Sequence, residues 1–90
     1  MFGYTIALTT DAEKFYEVCD HIETNLGLIG IKKEALLEDV DGTLIQGYDF
    51  LNQKIKVLND YEVDAVYVDS EVDLSTILKN YIIYTSEKEV

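Results

Sequence analysis

One amphipathic stretch near the amino terminus constrains the fold more than any other part of the chain. Its apolar residues recur at the three- and four-residue spacing of a helix face, and they are Ala12, Phe15, Cys19, Ile22 and Leu26. Thr10 and Glu13 fit a capping box at its start, since each side chain can satisfy a free backbone amide of the other residue. Gly27 follows as a typical helix stop. The sequence therefore predicts a helix over residues 12–26 with one face buried.

Strand patterns lie on both sides of this helix. Residues 2–9 are rich in β-branched and aromatic residues and predict a first strand. Asp41-Gly42 stands between apolar residues, which is a strong hairpin signal. We therefore expect Leu36-Leu37 and residues 43–48 to form the two strands of that hairpin. The remainder of residues 28–41 stays open, because part of it has the composition of a helix.

The second half of the chain predicts two further helices and two further strands. Asp49 suits the N-cap of a helix that runs to about Asp60. The apolar stripe of that helix, at positions i, i+4 and i+7, is Leu51, Ile55 and Leu58. Val63 to Val68 is a near-continuous apolar run and predicts a buried strand. A short third helix and a last strand over residues 81–85 follow, and the stripe of the helix is Leu74, Ile77, Leu78 and Tyr81.

This order of elements, β-α-β-β-α-β with a helix and a strand appended, predicts an α+β fold. The first six elements match the split βαβ, or ferredoxin-like, pattern. Residues 1–90 form a single domain by length, and the 48% of apolar residues is enough for one modest core. Small domains bury a smaller share of their surface than large ones. A partner protein or a homodimer can therefore supply part of the burial.

The charge balance excludes several classes of partner. The chain has 18 acidic and 7 basic residues and a formal net charge of −11. All the basic residues are lysines, whereas arginine is the residue best suited to bidentate contact with phosphate. A nucleic-acid binder would carry a basic stripe, and anionic membranes repel an acidic surface. We therefore expect no direct nucleic-acid or membrane binding, and a basic protein or a cation as the partner.

The single cysteine and the single histidine limit the metal and redox chemistry that we expect of the chain. The amino terminus indicates its cellular location. Cys19 is the only cysteine, so no intramolecular disulfide is expected, and its place on the apolar stripe predicts a core residue. His21 is the only histidine and lies one turn after Glu17, which could orient its ring, but we expect an exposed histidine without a functional role. One histidine and one cysteine do not make a structural zinc site. Residues 1–10 lack the basic region of a signal peptide, so we expect a cytoplasmic protein.

A short motif in the middle of the chain introduces an enzymatic alternative. Residues 39–44, Asp-Val-Asp-Gly-Thr-Leu, resemble the first motif of the haloacid-dehalogenase-like phosphatases. The resemblance implies a nucleophile at Asp39, a general acid/base at Asp41, a magnesium ion and a doubly wound sheet. That family also needs a doubly wound sheet with an acidic pair after a later strand, and the 49 residues after Asp41 contain no such strand. We therefore interpret Asp41-Gly42 as a tight turn and predict no catalytic residue, no cofactor and no metal.

The acidic residues of the second half are the main functional lead. They alternate on both sides of the predicted strand over 63–68, and no lysine lies between Lys56 and Lys79. Alternate side chains of an extended chain share a face at roughly 6.6 Å, so like charges there repel unless a cation or a basic partner is present. Tyrosine is enriched at interfaces. The predicted partner-binding residues are Asp60, Tyr61, Glu62, Asp64, Asp69, Glu71 and Asp73. The alternative is a solvated rim that serves solubility.

These observations predict a non-catalytic acidic module that binds a basic, nucleic-acid-binding protein. Carboxylates can imitate a row of phosphates and compete with DNA or RNA for such a surface. Small acidic phage-encoded inhibitors, such as anti-restriction and anti-CRISPR proteins, are similar to this chain in size and charge, which implies an anti-defence role. One alternative is a structural or regulatory homo-oligomer whose charge only serves solubility. The other is a metal-dependent phosphatase centred on Asp39 and Asp41.

Overall fold

The computed structural model describes residues 1–87, which form one helix and seven strands. The helix is α1 (Ala12–Leu26). In chain order the strands are β1 (Phe2–Ala7), β2 (Lys32–Lys33), β3 (Leu37–Glu38), β4 (Leu44–Phe50), β5 (Gln53–Asp60), β6 (Ala65–Ser70) and β7 (Tyr84–Glu87). They form one antiparallel sheet in the order β2-β4-β5-β6-β1-β7, with β3 also paired to β4. The ferredoxin-like prediction is wrong, because that fold packs two helices on its sheet and only one helix forms within residues 1–87.

Helix α1 is confirmed, but its amino-terminal cap differs from the predicted one. The N-cap residue is Asp11, whose carboxylate accepts a hydrogen bond from the Lys14 amide at 3.0 Å. Aspartate suits this position because its side chain satisfies an amide that the first turn leaves free. The Thr10 amide instead donates to Asp64 at 2.9 Å. The capping box of Thr10 and Glu13 is therefore wrong, while Gly27 ends the helix as predicted.

The region predicted as the second helix is a hairpin strand. Leu51 and Asn52 form a tight turn in which both residues have positive φ, 52° and 67°, as in the turns that match the twist of a hairpin. β5 then pairs along its length with β4 and β6. Ile55 is buried on one face of β5, whereas Leu58 lies half-buried on the other. The helical spacing of the apolar residues was therefore coincidental, and the true period is two.

Residues 71–83 form a succession of turns, not the predicted third helix. The Leu78 amide donates to the Leu74 carbonyl at 2.8 Å, and the Ile82 amide donates to the Leu78 carbonyl at 3.1 Å. Leu74 and Leu78 are fully buried, so burial of these two side chains fixes the segment. The last strand begins at Tyr84, three residues later than predicted, and pairs with β1.

One face of the sheet carries the core. α1 and residues 71–83 supply apolar side chains to this covered face, and each fully buried one contributes about 1.5–3 kcal/mol. β6 alternates between the two faces: Val66, Val68 and Ser70 are buried, whereas Tyr67 and Asp69 are half-exposed. The prediction of a strand buried on both faces is therefore wrong. The main core residues are Tyr4, Ile6, Phe15, Val18, Cys19, Ile22, Tyr48, Ile55, Val57, Val66, Val68, Leu74 and Leu78.

The other face of the sheet is open. Strand register places one residue from each of several strands in a single line across it, which we call the open-face row: Leu37, Ile45, Leu58, Tyr67, Thr5 and Tyr84. The central members of this row are half-buried by their neighbours, while Leu37 and Tyr84 at its ends are exposed. No helix within residues 1–87 is long and apolar enough to cross a membrane.

Candidate protein-binding surface

Two turns meet at one end of the sheet. In the β3–β4 turn, the Gly42 amide donates to the Asp39 carbonyl at 3.0 Å and Gly42 has a φ of 92°, which confirms the tight turn at Asp41-Gly42. The β5–β6 turn lies beside it, because the Tyr61 amide donates to the Thr43 hydroxyl at 3.1 Å. The Tyr61 ring rests against Gly42, where a side chain would crowd it.

This end of the sheet carries a concentration of carboxylates, which we call the acidic end: Asp39, Asp41, Asp60, Glu62 and Asp64. The two turns that contribute them contain no lysine. Three apolar side chains are exposed among these carboxylates, namely Val40, Tyr61 and Val63. Turns favour Gly, Pro, Asn, Asp and Ser, so turn formation does not require Val40 and Val63, whereas Tyr61 also packs on Gly42 of the neighbouring turn. Exposed aromatic groups among polar ones are typical of interfaces.

Backbone amides and hydroxyl groups hold four of these carboxylates in place. Asp39 accepts from the Val40 amide at 2.8 Å, and Asp41 accepts from the Thr43 amide at 3.0 Å. Asp60 accepts from the Glu62 amide and from the Tyr67 hydroxyl, both at 2.9 Å. Hydrogen bonds from Thr43 lower the pKa of Asp41, because they favour the ionised form.

Asp64 joins the acidic end to the start of α1. Its carboxylate accepts from the Thr10 amide at 2.9 Å and from the Thr9 hydroxyl at 3.2 Å, and these bonds lower its pKa. Its φ of 53° lies in the left-handed region, which aspartate tolerates better than most residues. Hydrogen bonds therefore favour the ionised form of Asp41 and Asp64, and four of the five carboxylates of the acidic end are held in position by the fold.

The structure divides the seven predicted partner-binding residues into three groups. Asp60, Tyr61, Glu62 and Asp64 belong to the acidic end. Asp69 lies in β6 on the open face, with Lys56 and Gly3 as its strand neighbours. Glu71 and Asp73 follow the opposite end of β6, roughly 17 Å away by strand rise. The seven residues do not form one surface.

Glu71 and Asp73 connect the segment after β6 to the sheet. Glu71 Oε1 accepts from the Lys54 amide at 2.7 Å. Asp73 Oδ1 accepts from the Ser75 hydroxyl at 2.6 Å and from the Tyr4 hydroxyl at 3.2 Å. The hydrogen bonds from Ser75 lower the pKa of Asp73. Both carboxylates thus have a role in the fold that is independent of any partner.

The surroundings of Asp39 and Asp41 differ from what the phosphatase resemblance implies. The strand before them, β3, has two exposed residues and runs antiparallel to β4, whereas the resemblance implies a strand of a doubly wound sheet. Within residues 1–87, no group of three or more histidine, cysteine, aspartate or glutamate side chains is arranged to hold a metal ion.

The single histidine and the single cysteine both lie at the interface between α1 and the rest of the fold. His21 Nε2 donates to the Ile77 carbonyl at 2.8 Å, and its ring packs on Tyr81. The predicted partner Glu17 instead pairs with Lys14. Cys19 is buried as predicted, and burial raises the pKa of its thiol to about 11. A thiol with such a pKa is a poor nucleophile at neutral pH.

Two features of the surface are absent from the predictions made from the sequence. The first is the contact between the β3–β4 and β5–β6 turns, which adds Asp39 and Asp41 to the acidic end. The second is a groove of about 670 Å³ between α1 and residues 33–36. A sequence signal for the groove existed, because Glu13, Glu17 and Asp20 recur at i, i+4 and i+7 along α1.

Comparison with protein-family models, with curated proteins and with solved structures found no match to this chain.

Proposed function

We propose that this protein is a non-catalytic binding module whose acidic end docks on a basic surface of a DNA- or RNA-binding protein. One observation carries the proposal: the exposed ring of Tyr61 stands among five carboxylates, in turns that contain no lysine. Binding energy at interfaces concentrates in a few residues, and tyrosine is enriched among them. Charged groups around such an anchor select the sign of the partner and speed the encounter.

The arrangement of the carboxylates supports competition with nucleic acid. A surface that binds DNA or RNA is lined by cations that contact phosphates, and the acidic end offers these cations fixed anionic oxygens. The role we propose is that of an inhibitor that occupies the surface in place of nucleic acid. The similarity in size and charge to small phage-encoded anti-defence proteins favours this role, and the cytoplasm as the location is part of the proposal.

Affinity capture with matched variants tests this proposal. Wild-type protein should recover a basic protein from a cell lysate at low salt and release it at high salt, because exposed charges are screened. Asp39→Asn with Glu62→Gln should abolish recovery, since both neutralise the acidic end while keeping the shape of the side chains. The matched control, Asp69→Asn with Glu71→Gln, removes the same charge elsewhere and should recover the partner normally.

The recovered partner then decides between an inhibitor and a simple binding protein. DNA or RNA added in excess should displace the module from the partner if both use one surface. Equal recovery by the two double variants, or a partner without affinity for nucleic acid, would contradict the proposal.

A homo-oligomer is the second candidate, and the open-face row favours it. Apolar side chains such as Ile45, Leu58 and Tyr67 lie in line across a sheet face that no other described element covers. Two copies that pair through this face would repel each other by charge, so salt should strengthen the dimer. Binding to a basic partner has the opposite salt dependence. Sedimentation at two salt concentrations therefore separates the two candidates.

A further inference from the structure

A groove runs along one side of α1, between the helix and residues 33–36, with a volume of about 670 Å³. Its lining is apolar at the centre: Phe15 and Cys19 are buried there, and Tyr16 and Leu36 expose about half of their surface, 51% and 44%. Leu36 belongs to no strand and is partly exposed. A concave apolar surface of this kind suits an apolar side chain of another molecule.

Carboxylates line the helix side of the groove and form an anionic rim there. Four of them line the groove, all from α1: Glu13, Glu17, Asp20 and Glu23. Glu23 accepts from the Tyr48 hydroxyl at 2.6 Å and pairs with Lys33 at 3.1 Å, and Glu17 pairs with Lys14 at 3.6 Å. Within residues 1–87, Glu13 and Asp20 have no lysine within ion-pair distance. The rim therefore carries negative charge that the fold does not compensate.

We propose that this groove binds an amphipathic segment of the basic partner, with an apolar side chain against Leu36 and Tyr16 and a lysine or arginine near Glu13 and Asp20. The inference rests on the proposed function in one respect, namely that the partner is basic. Helical segments recognised in grooves present apolar anchors on one face, and an anionic rim selects cations on the flanks of that face. The groove would thus be a second contact, alongside the acidic end.

Charge complementarity argues for this occupant over a second copy of the chain. Each copy has a net charge of −11, so a second copy is repelled by the anionic rim, and some of the apolar residues that it could insert lie beside further carboxylates. Val40 and Val63, for example, stand within the acidic end. A basic amphipathic segment satisfies both the apolar centre and the anionic rim.

A defined peptide tests the groove without knowledge of the natural partner. The probe is a labelled amphipathic peptide with leucines on one face and lysines on the other, titrated into the full-length protein at physiological salt. At that salt, charges more than about 8 Å apart are largely screened, so distant carboxylates contribute little. Amide resonances of Tyr16, Asp20 and Leu36 should shift on binding. A second peptide, with serines in place of the leucines, has the same charge and should bind at least about tenfold more weakly.

Variants of the protein separate the groove from general attraction between opposite charges. Leu36→Ser leaves the net charge unchanged and should lower the affinity for the leucine peptide about fivefold to tenfold. Because Leu36 is partly exposed, this variant should keep its melting temperature. The double variant Glu13→Gln with Asp20→Asn should lower the affinity for the leucine peptide by a similar factor. Asp39→Asn with Glu62→Gln, which removes equal charge from the acidic end, should leave the affinity within about twofold.

The outcomes distinguish the groove from the proposed function. Shifts at the groove, together with sensitivity to Leu36→Ser, support the groove. Shifts confined to residues 39–43 and 60–64, equal binding of the serine peptide, or no binding would each overturn it. None of these results depends on whether the acidic end captures a nucleic-acid-binding protein, so either idea can fail while the other stands.

Discussion

The carboxylates at the two ends of β4 have different partners. At one end, which we call the paired end, Lys54 Nζ lies 2.9 Å from Asp49 and 3.2 Å from Glu34. Gly47 leaves room for the Glu34 carboxylate to lie over β4. At the other end, roughly 20 Å away by strand rise, the acidic end holds its carboxylates with amides and hydroxyl groups and has no lysine in its two turns.

This difference shows that the carboxylates are held by different means at the two ends of β4. Exposed ion pairs contribute only about 0–1 kcal/mol each, so the paired end gains little stability from its lysine. The main effect of Lys54 is to neutralise part of the negative charge of Asp49 and Glu34. Carboxylates held by backbone amides keep their full charge and their position, and they remain free to meet a cation from another molecule. The acidic end is therefore the better candidate for partner recognition.

The largest expected effect separates the exposed apolar residues of the two ends. Tyr61→Ala should weaken binding of the captured partner by about 30-fold or more, because truncation of an interface anchor costs at least about 2 kcal/mol. The matched control is Leu51→Ala in the β4–β5 turn of the paired end, since Leu51 is also an exposed apolar turn residue. Isothermal titration should show no change for this control. A similar loss for both variants would mean that the two ends are equivalent.

The second expected effect concerns stability. Asp64→Ala removes the acceptor for Thr9 and Thr10 and places a less tolerant residue at positive φ. We expect a clear fall in melting temperature, and a smaller one for Asp64→Asn, which keeps an acceptor. Glu62→Ala is the control in the same turn and should melt like the wild type. If Asp64→Ala melted unchanged, Asp64 would not hold the acidic end to α1.

Local signals explain which parts of the fold could be predicted. α1 and the Asp41-Gly42 hairpin depend on residues close in sequence, and both were confirmed. The sequence wrongly predicts a helix over residues 49–60 because Leu51, Ile55 and Leu58 happen to fit helical spacing, and because the Leu51-Asn52 turn contains no glycine to indicate it. Only the pairing of β5 with two neighbours decides the matter, and such pairing joins residues distant in sequence.

The same limit applies to the candidate site. Asp60 to Asp64 could be identified because they alternate within one short stretch. The contact of their turn with the turn that carries Asp39 and Asp41 depends on the β4–β5 register, which sets Leu44 opposite Asn59. A prediction that places a helix over residues 49–60 separates the two turns and so excludes that contact. Asp73 is predicted to bind a partner, because nothing in the sequence shows that Tyr4 and Ser75 donate hydrogen bonds to its carboxylate.

The third expected effect is a dependence of stability on pH through Tyr67, an open-face residue that donates a hydrogen bond to Asp60 of the acidic end. Burial and the hydrogen bond to Asp60 raise the pKa of Tyr67 to about 12 from 10.0. A raised pKa means that the folded state holds the proton more tightly. The resulting stability is fully present below pH 10 and is lost as the pH rises through about 12. Tyr67→Phe should reduce this loss in denaturant titrations at successive pH values. An identical profile for the two proteins would contradict the role given to this hydrogen bond.

The smallest expected effect is a difference in how salt acts on single carboxyl groups. Hydrogen bonding with Lys54 lowers the pKa of Asp49, whereas a backbone amide of the chain lowers the pKa of Asp41. Salt at 1 M shortens the screening length to about 3 Å, so it should move the pKa of Asp49 towards its ordinary value and leave that of Asp41 nearly unchanged. NMR titration of the side-chain carboxyl carbons measures both groups in one sample.

Lys54→Met provides the control for this comparison, since it should raise the pKa of Asp49 and leave that of Asp41 unchanged. The stability linked to each lowered pKa is present above the ordinary pKa and is lost as the pH falls through the lowered value. Salt should therefore diminish the acid-sensitive stability of the paired end and spare that of the acidic end. Equal salt responses of Asp41 and Asp49 would show that charge, not the backbone, fixes both ends. The carboxylates of the acidic end would then be no better positioned for a cationic partner than those of the paired end.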